Sequence, residues 1–166
     1  FCVGRNYAEH AREFGNDDGL KTNALEAYRS LAVQPLLDIL AIDQPSAETV
    51  DALIGFMTQD RAASNIPTGC LFVMMRAQCQ LLGSSTRNKL DEVRHDLLAA
   101  YSAWIERAKE RNEVTGTPTD TLALYLDAQH GGAMRMQGEG VPNDVVADVL
   151  GIAFGNTVLA STNMRS

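Results

Sequence analysis

The feature that most constrains this fold is one long amphipathic stretch, from about residue 85 to residue 113. Its apolar residues recur at intervals of three and four: Leu90, Val93, Leu97, Leu98, Tyr101, Trp104, Ile105 and Ala108. Asp, Glu, Lys and Arg occupy the opposite face. This spacing is typical of an α-helix with one buried side. The stretch therefore predicts a long helix packed against a core.

Shorter helical patterns lie on both sides of this stretch. Residues 20 to about 41 keep helical spacing, and Pro35 is expected to kink or break that run. After the turn DQPS, the stripe Val50, Leu53, Ile54 and Met57 predicts a second helix. The apolar run CLFVMMRAQCQLL predicts a central, buried helix.

Two more helices are expected near the carboxyl end of the chain. The first has Thr117 as N-cap, Pro118 at its first position and Asp120 in its first turn. Its inward stripe would be Leu122, Tyr125, Leu126, Gln129, Gly132, Ala133 and Met136. Residues 145 to 160 form the last helix, and no segment alternates convincingly as a strand does. The prediction is an all-α helical bundle of about six helices after a short N-terminal helical segment.

Composition limits the class of protein. A chain of 166 residues can bury a sizeable core, and no apolar run approaches the roughly 20 residues that a membrane span needs. Cys70 and Cys79 lie nine residues apart on one expected helix, about 13 Å along its axis, which is too far for a disulfide. We therefore expect a reduced, cytoplasmic protein.

The charge of the chain argues against nucleic-acid binding by its visible part as a whole. The formal net charge is −7, whereas phosphate contacts depend on clustered Lys and Arg. The chain also begins at Phe1 in the middle of a pattern, so we expect it to be the remainder of a longer polypeptide. If DNA is bound, most of the basic surface is expected elsewhere.

The opening residues match two unrelated families. CVGRNYAEHARE resembles a signature near the start of the catalytic domain of the fumarylacetoacetate hydrolase family, in which the histidine belongs to a metal-assisted active site. TGTP at residues 115–118 is similar to a second motif of that family. That fold is built largely of strands and needs an acidic set resembling E-x-E, and this sequence has neither. The hydrolase is therefore kept only as an alternative.

The second resemblance runs over nearly the whole chain. FGNDDGLKTNALEAYRS, IPTGCLFV, LDEVRHDLLAAYSAWIERAKERNEV and LALYLDAQHGGAMRMQGEGVPNDVVADVLGIAF resemble, in order, successive segments of TetR-type transcriptional regulators. The resemblance implies that residues 1–19 are the remnant of a helix-turn-helix DNA-binding domain and residues 20–166 a ligand-binding and dimerisation domain. It further implies a ligand-responsive regulator, expected to be a repressor, in which a small molecule alters the separation of two reading heads.

A homodimer through the last two helices is implied by the family and favoured by the residues themselves. The last helix is too widely apolar for a terminal helix that faces water on one side. Gly151 and Gly155, four residues apart, would let another helix approach closely. The expected interface residues are Val146, Val149, Gly151, Phe154, Gly155 and Val158. The alternative is that this helix is simply buried inside one subunit.

DNA contacts are expected from the opening residues. Family members end the recognition helix in a pattern like Y-x-H-F-x-S-K-E-x-L, but Ala11, Glu13 and Asp17 stand here at its Tyr, His and Lys. The remaining candidates for DNA contact are Arg5, Asn6, Tyr7 and Arg12. A solvated helix face is an equally good interpretation of them.

Ligand-binding candidates are the large or polar residues on inward stripes. They are Met57, Phe72, Met75, Gln78, Tyr101, Trp104, Tyr125 and Gln129, although core packing is the stronger interpretation of each. A Met-rich lining suits a small apolar or aromatic effector. No cofactor or metal is expected, and scattered histidines without H-E-x-x-H, G-x-S-x-G or a phosphate loop argue against an enzyme. A helical ligand-binding or dimerisation module without DNA binding is the other alternative.

Overall fold

A computed structural model describes residues 17–60 and 69–159, and helices connected by turns account for nearly all of them. The helices are α1 (Asp17–Tyr28), a π-helical segment (Arg29–Val33), α2 (Gln34–Ala41), α3 (Ser46–Thr58), α4 (Leu71–Arg76), a 3₁₀ turn (Cys79–Leu81), α5 (Ser84–Glu110), α6 (Thr119–Gly138) and α7 (Asn143–Leu159). Because α1, the π-helical segment and α2 are continuous, they form one rod, and the described chain has six main helices. The all-α prediction is confirmed.

No strand occurs within the described ranges, so the strand-built scaffold of the hydrolase alternative has no counterpart there. Within the same ranges, no helix combines the length and the apolar character that crossing a bilayer requires. The long central helix agrees closely with the sequence prediction, since α5 runs from Ser84 to Glu110.

The rod formed by residues 17–41 is interrupted but not broken at Pro35. Proline has no N–H, and the chain widens into a π-turn just before it, where the N–H of Gln34 donates to the carbonyl of Arg29. The buried residues of the rod include Leu25, Tyr28, Ala32, Leu36 and Leu40, whose spacing is wider on average than the about 3.6 residues of an α-turn. The π-turn therefore keeps this stripe on one face of the rod.

The core has two parts on either side of α5. The large cluster joins α2, α3, the second half of α5, α6 and α7, and its centre is the fully buried Trp104, Tyr101 and Phe154. The small cluster joins α1, the π-helical segment, α4 and the first half of α5 around Leu25, Tyr28 and Phe72. The single long helix α5 thus takes part in both cores.

The prediction of a central, buried helix for CLFVMMRAQCQLL is wrong. Only Leu71–Arg76 is α-helical, and within it only Phe72 is fully buried. Met74 is 50% exposed and Leu81 is 82% exposed. The centre of the molecule is already occupied by α5, so this run lies at the edge of the small cluster. Cys70 and Cys79 consequently do not share a helix: the first precedes α4 and the second begins the 3₁₀ turn.

Two helices are capped by carboxylates from distant parts of the chain. Neither α3 nor α5 receives a capping hydrogen bond from the side chain that precedes it. At the start of α5, Asp18 of α1 accepts hydrogen bonds from the backbone N–H of Ser85 (3.1 Å) and of Thr86 (3.0 Å). Thr86 also donates its hydroxyl to Asp18, and these hydrogen bonds hold the pKa of that carboxyl below its ordinary value. Asp18 therefore attaches α1 to α5.

The glycine before α5 is required by this contact. A Cβ atom at Gly83 would lie 2.2 Å from the carboxyl carbon of Asp18, which is closer than real Cβ contacts allow. At the start of α3, Glu113 plays the equivalent part by accepting from the backbone N–H (3.0 Å) and the hydroxyl (2.5 Å) of Ser46. Burial raises the pKa of Glu113, but hydrogen bonds from Ser46 and Arg111 outweigh burial and lower it.

Candidate ligand cavity

A cavity of about 190 Å³ lies where the small cluster meets α6. For comparison, a cavity of about 150 Å³ accommodates benzene. Its apolar wall comes from the rod (Tyr28, Ala32, Val33, Leu36), from α4 and the residue before it (Cys70, Phe72, Val73), from α5 (Leu90, Val93, Leu97) and from α6 (Gly131, Met134). The rod, α4, α5 and α6 therefore all contribute to one small, mainly apolar chamber.

Two arginines, one aspartate and one histidine reach the same cavity. Arg76 stands at the end of α4, Arg94 lies on α5, and Asp127 and His130 are one turn apart on α6. The Nε of Arg94 lies 3.4 Å from an Oδ of Asp127, so these two form an ion pair across the gap between α5 and α6. The cavity thus combines apolar walls with a small polar set, as small-molecule sites commonly do.

Behind the cavity wall, His130 contacts a fully buried tyrosine. The hydroxyl of Tyr101 and the Nδ1 of His130 are 3.2 Å apart, and the two rings meet edge to face. Burial raises the pKa of the Tyr101 hydroxyl, and the nearby charge of Asp127 adds to the effect. Tyr101 therefore remains protonated and orients the imidazole that faces the cavity.

The structure distributes the eight ligand-binding candidates over four environments. Phe72 lines the cavity. Met57, Tyr101 and Trp104 are fully buried in the large cluster, and Met75 packs at the edge of the small cluster. Gln78 is exposed, Tyr125 is 42% exposed and Gln129 is partly exposed.

On α6 the buried residues differ from the predicted inward stripe, because the helix turns a different face towards the core. Its buried face carries Leu122, Ala123, Leu126, His130, Ala133, Met134 and Gln137. The expected inward stripe shared only three of these, and its members Tyr125, Gln129 and Gly132 lie on the other side. Two polar residues occupy the true inner face because they have hydrogen-bond partners: His130 meets Tyr101, and Gln137 donates to the carbonyl of Met57 at 2.8 Å.

Sequence reasoning missed Tyr28, Arg76, Arg94 and Asp127, and it considered His130 as a ligand contact but favoured an ordinary helix histidine. The spacing of His130 from Leu126 was a usable signal, because four residues separate them on one helix face. Arg76, Arg94 and Asp127 gave none, since each lies on a different helix and nothing local indicates that they meet.

The expected dimer residues divide between the core and the surface. Val146 and Phe154 are fully buried in the chain's own large cluster, whereas Val149, Gly151 and Gly155 are partly exposed. The side chain of Val158 lies outside the described set. The outer face of α7 instead carries Val145, 44% exposed, and Ile152, 66% exposed. The expected DNA contacts Arg5, Asn6, Tyr7 and Arg12 also lie outside the described residues.

Three glycines on α6 and α7 have open space beside them. A Cβ atom at Gly132, Gly151 or Gly155 would find no neighbouring atom within 4 Å. Glycine weakens a helix interior by about 1 kcal/mol relative to alanine. Packing inside this subunit therefore gives no reason for these three residues.

Comparison with known proteins identifies no relative: no family model, no curated protein and no solved structure matches the chain. Within residues 17–60 and 69–159, no group of three or more His, Cys, Asp or Glu is arranged to hold a metal ion. The cavity and the outer face of α6 and α7 are therefore the two candidate binding surfaces among the described residues.

Proposed function

We propose that the protein is a ligand-responsive transcriptional regulator, a repressor whose DNA binding is modulated by a small molecule in the helical core. One observation carries the proposal. The rod of residues 17–41, which follows directly on the opening residues, supplies one wall of the cavity through Tyr28, Ala32, Val33 and Leu36. A molecule that enters the cavity therefore presses on the element that leads to the proposed DNA-binding segment.

Two contacts attach the rod to α5 and support this coupling. Asp18 fixes the start of the rod to the start of α5, and Arg29 fixes its middle through an ion pair with Asp96 at 2.7 Å. A ligand that separates the rod from α5 must alter the geometry at one or both of these contacts. The position of Asp17, where the rod begins, then depends on cavity occupancy.

A mobility-shift assay with the protein and its own upstream region tests the proposal. We expect binding that weakens as salt rises, because phosphate contacts release counterions. Replacing Arg5 and Arg12 together by alanine is expected to reduce both affinity and its salt dependence, and Arg87→Ala, on the exposed start of α5, serves as the control. Absence of salt-sensitive binding contradicts the proposal.

The regulator acts as a homodimer in this proposal, through the outer faces of α6 and α7. Val145, Val149 and Ile152 are spaced by four and three residues and form one apolar stripe on α7. Tyr125, Gln129 and Gly132 form a stripe on α6 with the same spacing. A second copy accounts both for these apolar side chains and for the open space beside the glycines, since small residues let two helices approach closely.

Analytical ultracentrifugation of Ile152→Asp tests the dimer. The change places a charge in the centre of the proposed interface and is expected to yield a monomer at micromolar concentrations. Leu31→Asp is the matched control, because Leu31 is also a large aliphatic side chain that is exposed (55%), but it lies on the rod. A wild-type protein that sediments only as an 18 kDa monomer contradicts the dimer.

A binding module without DNA activity is the second candidate, and the charge of the chain favours it. The net charge is −7, and Glu13 and Asp17 stand where the TetR-type pattern has residues that contact DNA. A protein that dimerises and binds a small molecule, yet shows no affinity for its upstream region, is this module.

A further inference from the structure

We propose that the cavity binds a small monocarboxylate, an anion with one ring or a short chain, and that Arg76 holds its carboxylate. The inference rests on the proposed function in one respect only, which is that this molecule is taken to be the effector. Binding itself is independent of DNA, so the two can be tested separately.

The size and the walls of the cavity define the apolar part of the ligand. Phe72, Val93, Leu97 and Met134 present carbon surface to a space of about 190 Å³. Because about 150 Å³ accommodates benzene, this space fits one ring with a small substituent. A nucleotide or a sugar phosphate is too large and too polar for such walls.

The charge balance of the lining defines the polar part. Among the described residues that line the cavity, Arg76 and Arg94 are the cations and Asp127 is the carboxylate. Arg94 and Asp127 pair with each other, so their charges offset. Arg76 has no ion pair or hydrogen bond with any side chain of the described ranges, which leaves one positive charge at the cavity.

The geometry of arginine favours a carboxylate over other anions of this size. Its planar guanidinium presents two parallel N–H donors that match the two oxygens of a carboxylate. Arg76 is partly buried, which strengthens such a contact because water competes less for the donors. Its position at the end of α4 places it beside Phe72 and Val73, so one ligand can meet both the charge and the apolar wall.

A cationic ligand is disfavoured by the same lining. Asp127 is the acidic group that it would need, and Arg94 already occupies that group. A ligand cation would also face the unpaired charge of Arg76. A neutral ring would fill the apolar space but would leave the guanidinium without a partner.

Isothermal calorimetry with three ring compounds of nearly equal size tests the proposal. The probes are benzoate, its neutral analogue benzamide and the cation benzylamine. We expect benzoate to bind at least about tenfold more tightly than benzamide, because its carboxylate forms a two-donor ion pair with a guanidinium and the neutral amide cannot. Benzylamine is expected not to bind.

Variants of Arg76 show where the carboxylate is held. Arg76→Gln is expected to weaken benzoate roughly tenfold to a hundredfold while leaving benzamide unchanged. Arg76→Lys keeps the charge but loses the two-donor geometry, so an intermediate affinity is expected. Arg87→Gln, an exposed arginine at the start of α5, is the control and is expected to bind as the wild type does. Circular dichroism verifies that each variant is folded.

The outcomes separate this proposal from the proposed function. The carboxylate site is overturned if benzoate and benzamide bind equally, if benzylamine is preferred, or if Arg76→Gln and Arg87→Gln lose the same affinity for benzoate. It is also overturned if benzoate does not bind at 10 mM, a concentration about a hundred times the dissociation constant of a typical small-molecule site. Benzoate binding through Arg76 that leaves the mobility shift unaltered supports the site and contradicts its regulatory role.

Discussion

The two halves of the core differ in how completely they are filled. In the large cluster, Trp104, Tyr101 and Phe154 pack with no exposed surface, and α3, α6 and α7 surround the second half of α5. The small cluster has fewer members, is closed on one side by the short helix α4, and forms most of the wall of the cavity of about 190 Å³, to which the large cluster adds Leu36 and Met134. The same helix, α5, passes from the filled half into the half with space.

Because of this difference, the large cluster should contribute mainly stability, and the small cluster should adapt its shape more easily. A filled core resists any change of volume, because buried side chains are packed at nearly crystalline density. A core that borders a cavity lacks contacts on one side, so its walls can move with less loss of energy. The half that borders most of the cavity also includes α1 and the π-helical segment, the first part of the rod.

Each half has its own capping carboxylate, and the two differ in their surroundings. Asp18 belongs to the rod and ends at the exposed start of α5, whereas Glu113 is held between Ser46 and Arg111 beside the large cluster. Both carboxylates are partly exposed. Changes that affect one half and spare the other test the comparison directly.

The largest effect is expected from removing the same side chain in each half. Leu53→Ala, in the filled half, is expected to lower the free energy of unfolding by about 3–5 kcal/mol. Leu90→Ala, beside the cavity, is expected to cost about 2–3 kcal/mol, because the wall can relax into existing space. Both leucines are almost fully buried, at 0% and 2% exposure. Denaturant unfolding at fixed protein concentration gives both values, and equal or reversed losses contradict the comparison.

A smaller effect is expected from Asp18→Asn. The variant loses a charged acceptor at the start of α5, so its melting temperature at pH 7 should fall below that of the wild type. The pKa of Asp18 is lower in the folded chain than its ordinary value of 3.8. Its contribution is therefore present above pH 3.8 and is lost as the pH falls through the folded pKa.

Thermal melts at pH 7 and at pH 3 or below check the sign of this effect. The difference between wild type and Asp18→Asn should shrink at the lower pH, since protonated Asp18 resembles asparagine. Asp91→Asn, an exposed aspartate farther along α5, is the control and should change little at either pH. A difference that grows on acidification rules out the capping role.

The smallest effect on stability is expected from filling the cavity. A Cβ atom at Gly131 has only a methyl group of Val73 near it, at 4.0 Å, so Gly131→Leu can extend into the cavity. Stability should stay the same or rise by up to about 1 kcal/mol, because leucine favours helix over glycine. Calorimetry should then show that benzoate no longer binds. Gly55→Leu, at an open position on α3, is the control and should leave binding intact.

The long helix α5, which takes part in both halves, could be predicted from the sequence far better than the short helix α4. The three-four spacing from Leu90 to Ala108 reports one continuous buried stripe, so α5 and its core residues followed directly from it. The run that became α4 has a high apolar content without a clear stripe. Apolar content alone does not distinguish a buried helix from a short helix at the edge of the small cluster. In this run Met74 and Leu81 face outward.

The cavity itself was beyond sequence reasoning for two physical reasons. Its polar residues come from α4, α5 and α6, and only the folded chain brings Arg76 near Arg94 and Asp127. The true inner face of α6 also contains His130 and Gln137, which an apolar stripe analysis excludes. Both are buried because they form hydrogen bonds with Tyr101 and with the carbonyl of Met57.

Because of the π-helical segment before Pro35, the face that α1 turns towards α5 depends on the number of residues in that segment. A π-turn contains one residue more than an α-turn. Deleting one residue from Arg29–Val33, such as the exposed Leu31, would restore an ordinary helix and rotate every preceding side chain by about 100° around the rod axis. Asp18 would then point away from the start of α5. Single-residue insertions or deletions here would therefore move Tyr28 out of the cavity wall and Asp18 away from α5 in one step.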